Sequence, residues 1–313
     1  MSRYLNLPWV ESPFFSQILE QKKLPAQQEV MVQFYHDNGF LKLSDWIPPH
    51  ISEGIKKDME TNKRGEEQSI PDLWQHSEPV RALAGYQTIL DMLQLFYERE
   101  AFPFQTINVC ESMEQRAHSN ATHFSSLPAR YMCSVWVALE DITEENGALF
   151  CYPASHRLPE YTVSHIKKNQ GLPSKEDHFQ YESFMEDLIR VNKFQKEILF
   201  AKKGDAFLLS NTIIYGRMPV KKGMSGCSQL THYFFKDCYY YTPMLSDGIA
   251  NELSLRTHVK NINTNKVIIP SYNGQSFNLI KTGDNKYMFD PNISFMGMLK
   301  VYAKKYAKKM RGN

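Results

Sequence analysis

The chain has 313 residues, 42% of them apolar and 13% aromatic, which is enough to bury a substantial core, and residues 1–313 are expected to form a single domain. Its 36 basic and 34 acidic side chains leave a net charge of +2, too weak a field to argue for a nucleic-acid partner. Five cysteines, at 110, 133, 151, 227 and 238, are odd in number and include no CxxC pair, which argues against a zinc knuckle or a disulfide framework and predicts reduced thiols in a cytoplasmic protein. The first residues place no charged head before a long apolar run, and no stretch reaches the roughly 18 apolar residues of a membrane span.

In chain order, residues 26–38 carry Val30, Met31, Phe34 and Tyr35 at helical spacing and stop at Asn38-Gly39. Residues 78–98 repeat the pattern with Val80, Leu83, Ile89, Leu90, Leu93 and Leu95. From about 103 the signal changes to short β-rich runs, Phe104 to Val109, Met132 to Leu139, Ala148 to Tyr152, Ala206 to Leu209 and Leu230 to Phe235, separated by turn residues. Helices followed by many short strands predict an α+β chain, with flanking N-terminal helices and an antiparallel barrel or jelly roll. Residues 156–195 are polar, with a helical pattern near 178–194, and read as an insertion. At the end, Phe295, Met298, Leu299, Tyr302 and Tyr306 predict a basic amphipathic helix over about 294–311. Such a helix suits packing on the domain, or contact with a membrane surface or acidic partner.

Several blocks in the middle of the chain carry a recognisable order. They are Gln115-Arg116-Ala117-His118-Ser119-Asn120, Trp136-Val137-Ala138-Leu139-Glu140-Asp141, Glu145-Asn146-Gly147-Ala148-Leu149 and Pro153-Ala154-Ser155-His156, then Gly204-Asp205, Tyr215-Gly216 and Thr231-His232-Tyr233. Together with Phe34 to Leu41 at the start, this succession resembles the phytanoyl-CoA dioxygenase family of Fe(II)/2-oxoglutarate oxygenases. The resemblance implies a double-stranded β-helix, a cupin-like jelly roll. It also implies an iron site of His-x-Asp and a distal His, with an Arg clamping the far carboxylate of 2-oxoglutarate. Residues at i and i+2 of a strand share a face, so a His and a carboxylate so spaced can reach one metal, leaving positions open for 2-oxoglutarate and O2.

Laid on those positions, this chain keeps His118, has Asn120 in place of the carboxylate, Tyr215 in place of the second His and Gly226 in place of the Arg. A neutral amide is a poor ligand for a divalent metal, a phenol must ionise near pH 10 to ligate well, and glycine offers nothing to a carboxylate. His118 is thus the one retained metal ligand, and Asn120 and Trp136 are expected to line the pocket. His232, at even spacing from Gly226, is the substitute ligand or acid/base candidate, so His118, Tyr215 and His232 are the candidate catalytic residues. His123, at odd offset from His118, is expected on the opposite face. His156 reads as structural, Arg116 and Lys203 as surface cations, and Cys227 as an inert thiol. Tyr131, Tyr239, Tyr240 and Tyr241 read as core or pocket wall.

The leading expectation is a protein that has left conventional oxygenase turnover, uses no cofactor, and keeps the pocket for a small-molecule ligand or for non-oxidative chemistry. One alternative is an unconventional non-heme iron oxygenase, with Fe(II) and 2-oxoglutarate, acting on a specialised or surface-glycan metabolite. A second is a non-catalytic partner subunit of an intact homologue.

Overall fold

The amphipathic segments before residue 100 form helices whose ends and faces depart in places from the sequence pattern. The computed structural model describes residues 6–62, 69–110, 114–166, 174–247 and 252–289. The helices α1 (Phe15–Lys22), α2 (Ala26–Asn38), α3 (Pro49–Asn62), α4 (Glu78–Ala84) and α5 (Gln87–Tyr97) lie in this first part. Helix α2 has the predicted bounds and stops at Gly39, whose φ of 77° is the left-handed conformation that glycine adopts without a Cβ clash. Its buried face is a narrower stripe than predicted: Val32 and Tyr35 are inside while Val30 and Phe34 are exposed. The helical run from 78 is two helices, because the first ends at Gly85 and Tyr86 begins the next. Ser77 caps α4 by accepting from the Val80 N–H, with Pro79 in the first turn.

The five predicted runs are all strands, and others lie between them. Up to residue 241 the strands of the described residues are β1 (Phe40–Leu43), β2 (Ser69–Pro71), β3 (Ala101–Val109), β4 (Gln115–His118), β5 (Ser125–Leu127), β6 (Met132–Ala138), β7 (Leu149–Cys151), β8 (Glu197–Leu199), β9 (Ala206–Ser210), β10 (Tyr215–Arg217), β11 (Ser228–Phe235) and β12 (Tyr239–Tyr241), and short strand pairs follow from 253 to 289. A six-stranded sheet runs β1-β9-β6-β11-β3-β2 and a four-stranded sheet runs β4-β10-β7-β8; every pairing in both is antiparallel. The chain is therefore a mixed α/β protein built on antiparallel sheets.

Strand β6 is buried along its whole length because both of its faces are covered. Its odd-numbered residues Cys133, Val135 and Val137 pack with the helices, while Trp136 and Ala138 pack with Leu149, Cys151 and Tyr215 of the smaller sheet. On β11 the same alternation turns Gln229 and Tyr233 to the helical layer. There Gln229 Nε2 donates to the Val80 carbonyl and Tyr233 Oη to the Ala84 carbonyl, occupying acceptors along α4. Ser228, Leu230 and His232 are left facing the smaller sheet.

The polar segment after 156 holds α6 (Val163–Ile166) and α7 (Lys175–Asn192). Ser174 and Asp177 form a reciprocal cap at the start of α7. Arg116 of β4 pairs with Glu182 and Glu186, one turn apart on α7, while Tyr181 and Met185 pack against Phe150, Tyr152 and Ile214. The helix thereby covers the outer face of the smaller sheet.

One cysteine expectation is corrected. Cys110 and Cys227 are joined as a disulfide although 117 residues apart, while Cys133, Cys151 and Cys238 are free and buried. The sheet register explains the pairing: Val109 lies opposite Ser228, so the residues just beyond them fall opposite each other too. Spacing along the sequence carries no trace of that proximity. No helix among the described residues is long and apolar enough to cross a membrane, and the predicted basic helix at 294–311 lies outside the described residues.

Candidate active site

Between the two sheets lies a cavity of about 510 Å3, lined on the larger sheet by Gln105, Ile107, Trp136, Leu230 and His232 and on the smaller by His118, Leu149, Tyr215 and Arg217. Its volume falls in the usual range for small-molecule sites. His118, Asn120, Trp136, Tyr215 and His232, all singled out from the sequence, do converge on it.

Register places these groups in pairs. Tyr215 is directly opposite His118, their rings 4.7 Å apart, and His232 is directly opposite Ser134. After His118 the chain leaves the strand and enters a short 3-10 turn, Asn120–Thr122. Ser119 caps the turn by accepting from the Ala121 N–H. Asn120 thereby spans the space between the sheets. It accepts from Tyr215 Oη at 2.9 Å and donates to Ser134 Oγ at 2.9 Å, and Ser134 Oγ lies 2.8 Å from His232 Nδ1. The turn also corrects the expectation for His123. Strand alternation ends at 118, so His123 lines the same cavity as His118 instead of facing away.

His232 Nδ1 shares a hydrogen bond with the Ser134 hydroxyl, whose oxygen also accepts from Asn120. His118 has Nδ1 at 2.9 Å from the Arg116 carbonyl, so that nitrogen is the donor and Nε2 carries the lone pair, with Gln115 Nε2 3.4 Å away. Burial, aided by the neighbouring His123, Arg256 and His118, holds His232 down to about 3. His123 is held to about 4, again chiefly by burial. Burial also lowers His118, against an opposing contribution from its bond to Arg116, and raises the Tyr215 hydroxyl above the usual phenol range despite its bond to Asn120.

The sequence does not single out Ser134, which links Asn120 to His232, or Arg217, which lines the cavity. Ser134 lies two positions before Trp136, and Arg217 two positions after Tyr215, so strand alternation points to both. Arg217 is only 6% exposed and donates from Nε to the Gly147 carbonyl and from Nη2 to the Gly226 carbonyl and Ser228 Oγ. The remaining candidates are accounted for elsewhere. His156 bonds the His36 carbonyl, Lys203 pairs with Glu53, and Tyr131 and Tyr240 are buried in the helical core.

The family model of phytanoyl-CoA dioxygenase (PhyH) matches residues 54–216, more than half of the chain. The chain belongs to the phytanoyl-CoA dioxygenase family. Solved structures agree with this PhyH fold. The non-heme alpha ketoglutarate dependent epimerase SnoN from nogalamycin biosynthesis matches with a TM-score of 0.54 and 15% identity, covering 69% of this chain and 86% of that chain. The carbocyclase SnoK from the same biosynthesis matches with a TM-score of 0.55 and 14% identity, over 70% and 87% of the two chains. EctD from S. alaskensis, with 2-oxoglutarate and 5-hydroxyectoine, matches with a TM-score of 0.52 and 18% identity, over 68% and 76%. At such identities the likeness is one of fold. No match was found among curated proteins.

These findings overturn the expectation of a chain that uses no cofactor. The fold is shared with iron and 2-oxoglutarate enzymes, described with Fe3+ and alpha ketoglutarate in SnoN and with iron in EctD. The conventional ligand set is a separate matter, and the residues of this PhyH-family chain do not fit it. Both amide atoms of Asn120 are engaged, Tyr215 donates its proton to Asn120, and no three His, Cys, Asp or Glu side chains among the described residues converge to hold a metal ion. Position 226 is equally closed. A Cβ built on Gly226 would lie 1.8 Å from the Asn146 carbonyl oxygen, so no side chain starts there.

Proposed function

We propose that this PhyH-family protein binds a small organic molecule between the two sheets of a double-stranded β-helix and acts on it by a route other than conventional facial-triad turnover of 2-oxoglutarate. The observation that carries this reading is the chain Tyr215–Asn120–Ser134–His232. It engages the atoms at two of the three family ligand positions in a hydrogen-bonded network joining the sheets. Satisfied networks of this kind hold their members in one geometry.

The group left facing the ligand with a defined role is a base. His118 Nε2 is a neutral acceptor, suited to take a proton from a ligand hydroxyl or activated C–H, and His232 lines the same cavity as a polar contact. Tyr215 acts as a positioning residue, because its proton is committed to Asn120. Trp136 supplies an apolar wall.

The test is anaerobic calorimetry of the purified chain with Fe(II) and with 2-oxoglutarate, followed by aerobic assay of 2-oxoglutarate consumption. The expected result is that 2-oxoglutarate is not consumed. A second reading, an oxygenase with an unconventional iron site drawn from His118, Asn120, Tyr215 or His232, is favoured by the three imidazoles on one cavity. Stoichiometric Fe(II) binding with 2-oxoglutarate consumption, lost on His232→Ala, would replace the first reading with the second.

A further inference from the structure

The charge at the other end of the cavity says what kind of molecule it takes. Arg217 is buried, and its three hydrogen bonds come from Nε and Nη2 and run to Gly147, Gly226 and Ser228, all uncharged acceptors. Nη1 makes no hydrogen bond to a described residue, and Arg217 forms none of the ion pairs among the described residues. Glu114, the one carboxylate along this cavity among the described residues, does not pair with it either. Burial without a compensating charge lowers the guanidinium to about 10. A desolvated cation lacking a counter-ion is costly, by several kcal/mol in typical proteins, and such groups are ordinarily paired. In Arg217 the protein holds Nε and Nη2, Nη1 has no hydrogen bond to a described residue, and the residue lines the cavity.

We propose that Arg217 is the anchor for the carboxylate of an organic acid bound in this cavity, a reading that rests on the cavity being a small-molecule site. With Nε and Nη2 committed to protein acceptors, Nη1 is left to donate a charge-assisted hydrogen bond to a carboxylate oxygen. The surrounding wall is apolar, formed by Trp136, Leu149, Leu230 and Ile107, and the opposite end holds neutral imidazoles. One cationic end, an apolar body and a neutral polar end define a monocarboxylate with an apolar body as the best-fitting class. The closed backbone at Gly226 gives the same assignment from the other side. Asn146 is fixed there by Nδ2 bonds to the Asp141 and Ser225 carbonyls, and Arg217 Nη2 donates to the Gly226 carbonyl, so a guanidinium reaches the position where no side chain can start.

Binding of 3-phenylpropionate, succinate and 2-oxoglutarate to the full chain, each beside its methyl ester, tests this through thermal stabilisation and Trp136 fluorescence. At least one acid should bind about tenfold more tightly than its ester. That preference should disappear in Arg217→Gln and survive in part in Arg217→Lys. Preference for 3-phenylpropionate supports the apolar-bodied monocarboxylate, and preference for succinate or 2-oxoglutarate overturns that class. Equal binding of acid and ester, an unchanged preference in Arg217→Gln, or no binding by any acid at millimolar concentration overturns the proposal. If Arg217→Gln fails to fold, the acid-against-ester comparison on the native chain and on Arg217→Lys decides. Iron binding by the native chain would overturn the preceding reading while leaving this comparison intact.

Discussion

The two ends of the cavity treat buried polar groups in opposite ways. Around Asn120 every partner is protein: Tyr215, Ser134 and His232 satisfy one another across the two sheets. Around Arg217 the protein supplies only neutral acceptors on one edge of a charged plane. The satisfied end fixes geometry, and the unsatisfied end leaves binding energy for a ligand. This difference separates a network held in one geometry from a charged group that the described residues do not neutralise.

The comparison can be broken most severely at Gly226. Gly226→Arg, which would restore the family's cation at its usual position, is expected to cost about 3 kcal/mol or more, because its Cβ meets backbone at Asn146 that side-chain rotation cannot clear. A Gly226→Arg protein that unfolds in urea like the parent would show this account of the closed position to be wrong.

Acidification should act next, on the neutral end. His232 and His123 are held below the ordinary imidazole value of 6.5, at about 3 and about 4. Below about pH 6.5 the unfolded chain therefore binds protons that the folded chain refuses, and stability falls as pH falls. The slope is up to about 1.4 kcal/mol per pH unit for each imidazole and eases near pH 4, where His123 begins to accept a proton in the fold. A urea midpoint that stays flat between pH 6.5 and 4.5 would contradict the buried, neutral assignment.

Ser134→Ala removes the shared partner of Asn120 and His232 and should destabilise by about 2 kcal/mol, with the His232 imidazole NMR signals shifting as Nδ1 loses its hydrogen-bond partner. Unchanged His232 resonances would mean the two strands are not coupled through Ser134. The smallest effect belongs to Tyr215→Phe, about 1 kcal/mol, since only the Asn120 acceptor is left unpaired. A much larger loss, or loss of bound metal, would favour the unconventional iron reading.

Much of the fold was legible because it rests on local rules. The runs Met132 to Leu139 and Leu230 to Phe235 are strands within a residue or two, and α2 has its predicted bounds. Spacing also brought His118, Asn120, Tyr215 and His232 to one cavity, since motif order fixes which strands neighbour each other. The failures share a cause. His123 was misplaced because strand alternation was carried past His118 into a turn, and the buried stripe of α2 was misjudged because only the packed layer decides which residues of a helix it covers.

By itself the sequence determined the order of helices and strands, the family, and which side chains stand at 120, 215 and 226. Periodicity and motif spacing are properties of neighbouring residues and survive without a structure. The tertiary structure decided what surrounds those side chains. That Asn120 joins Tyr215 to Ser134, that Asn146 closes Gly226, that Cys110 meets Cys227, and that Arg217 faces the cavity all depend on sheet register between segments far apart in the chain. Register is set by the packing of the whole core, which no single stretch of residues encodes.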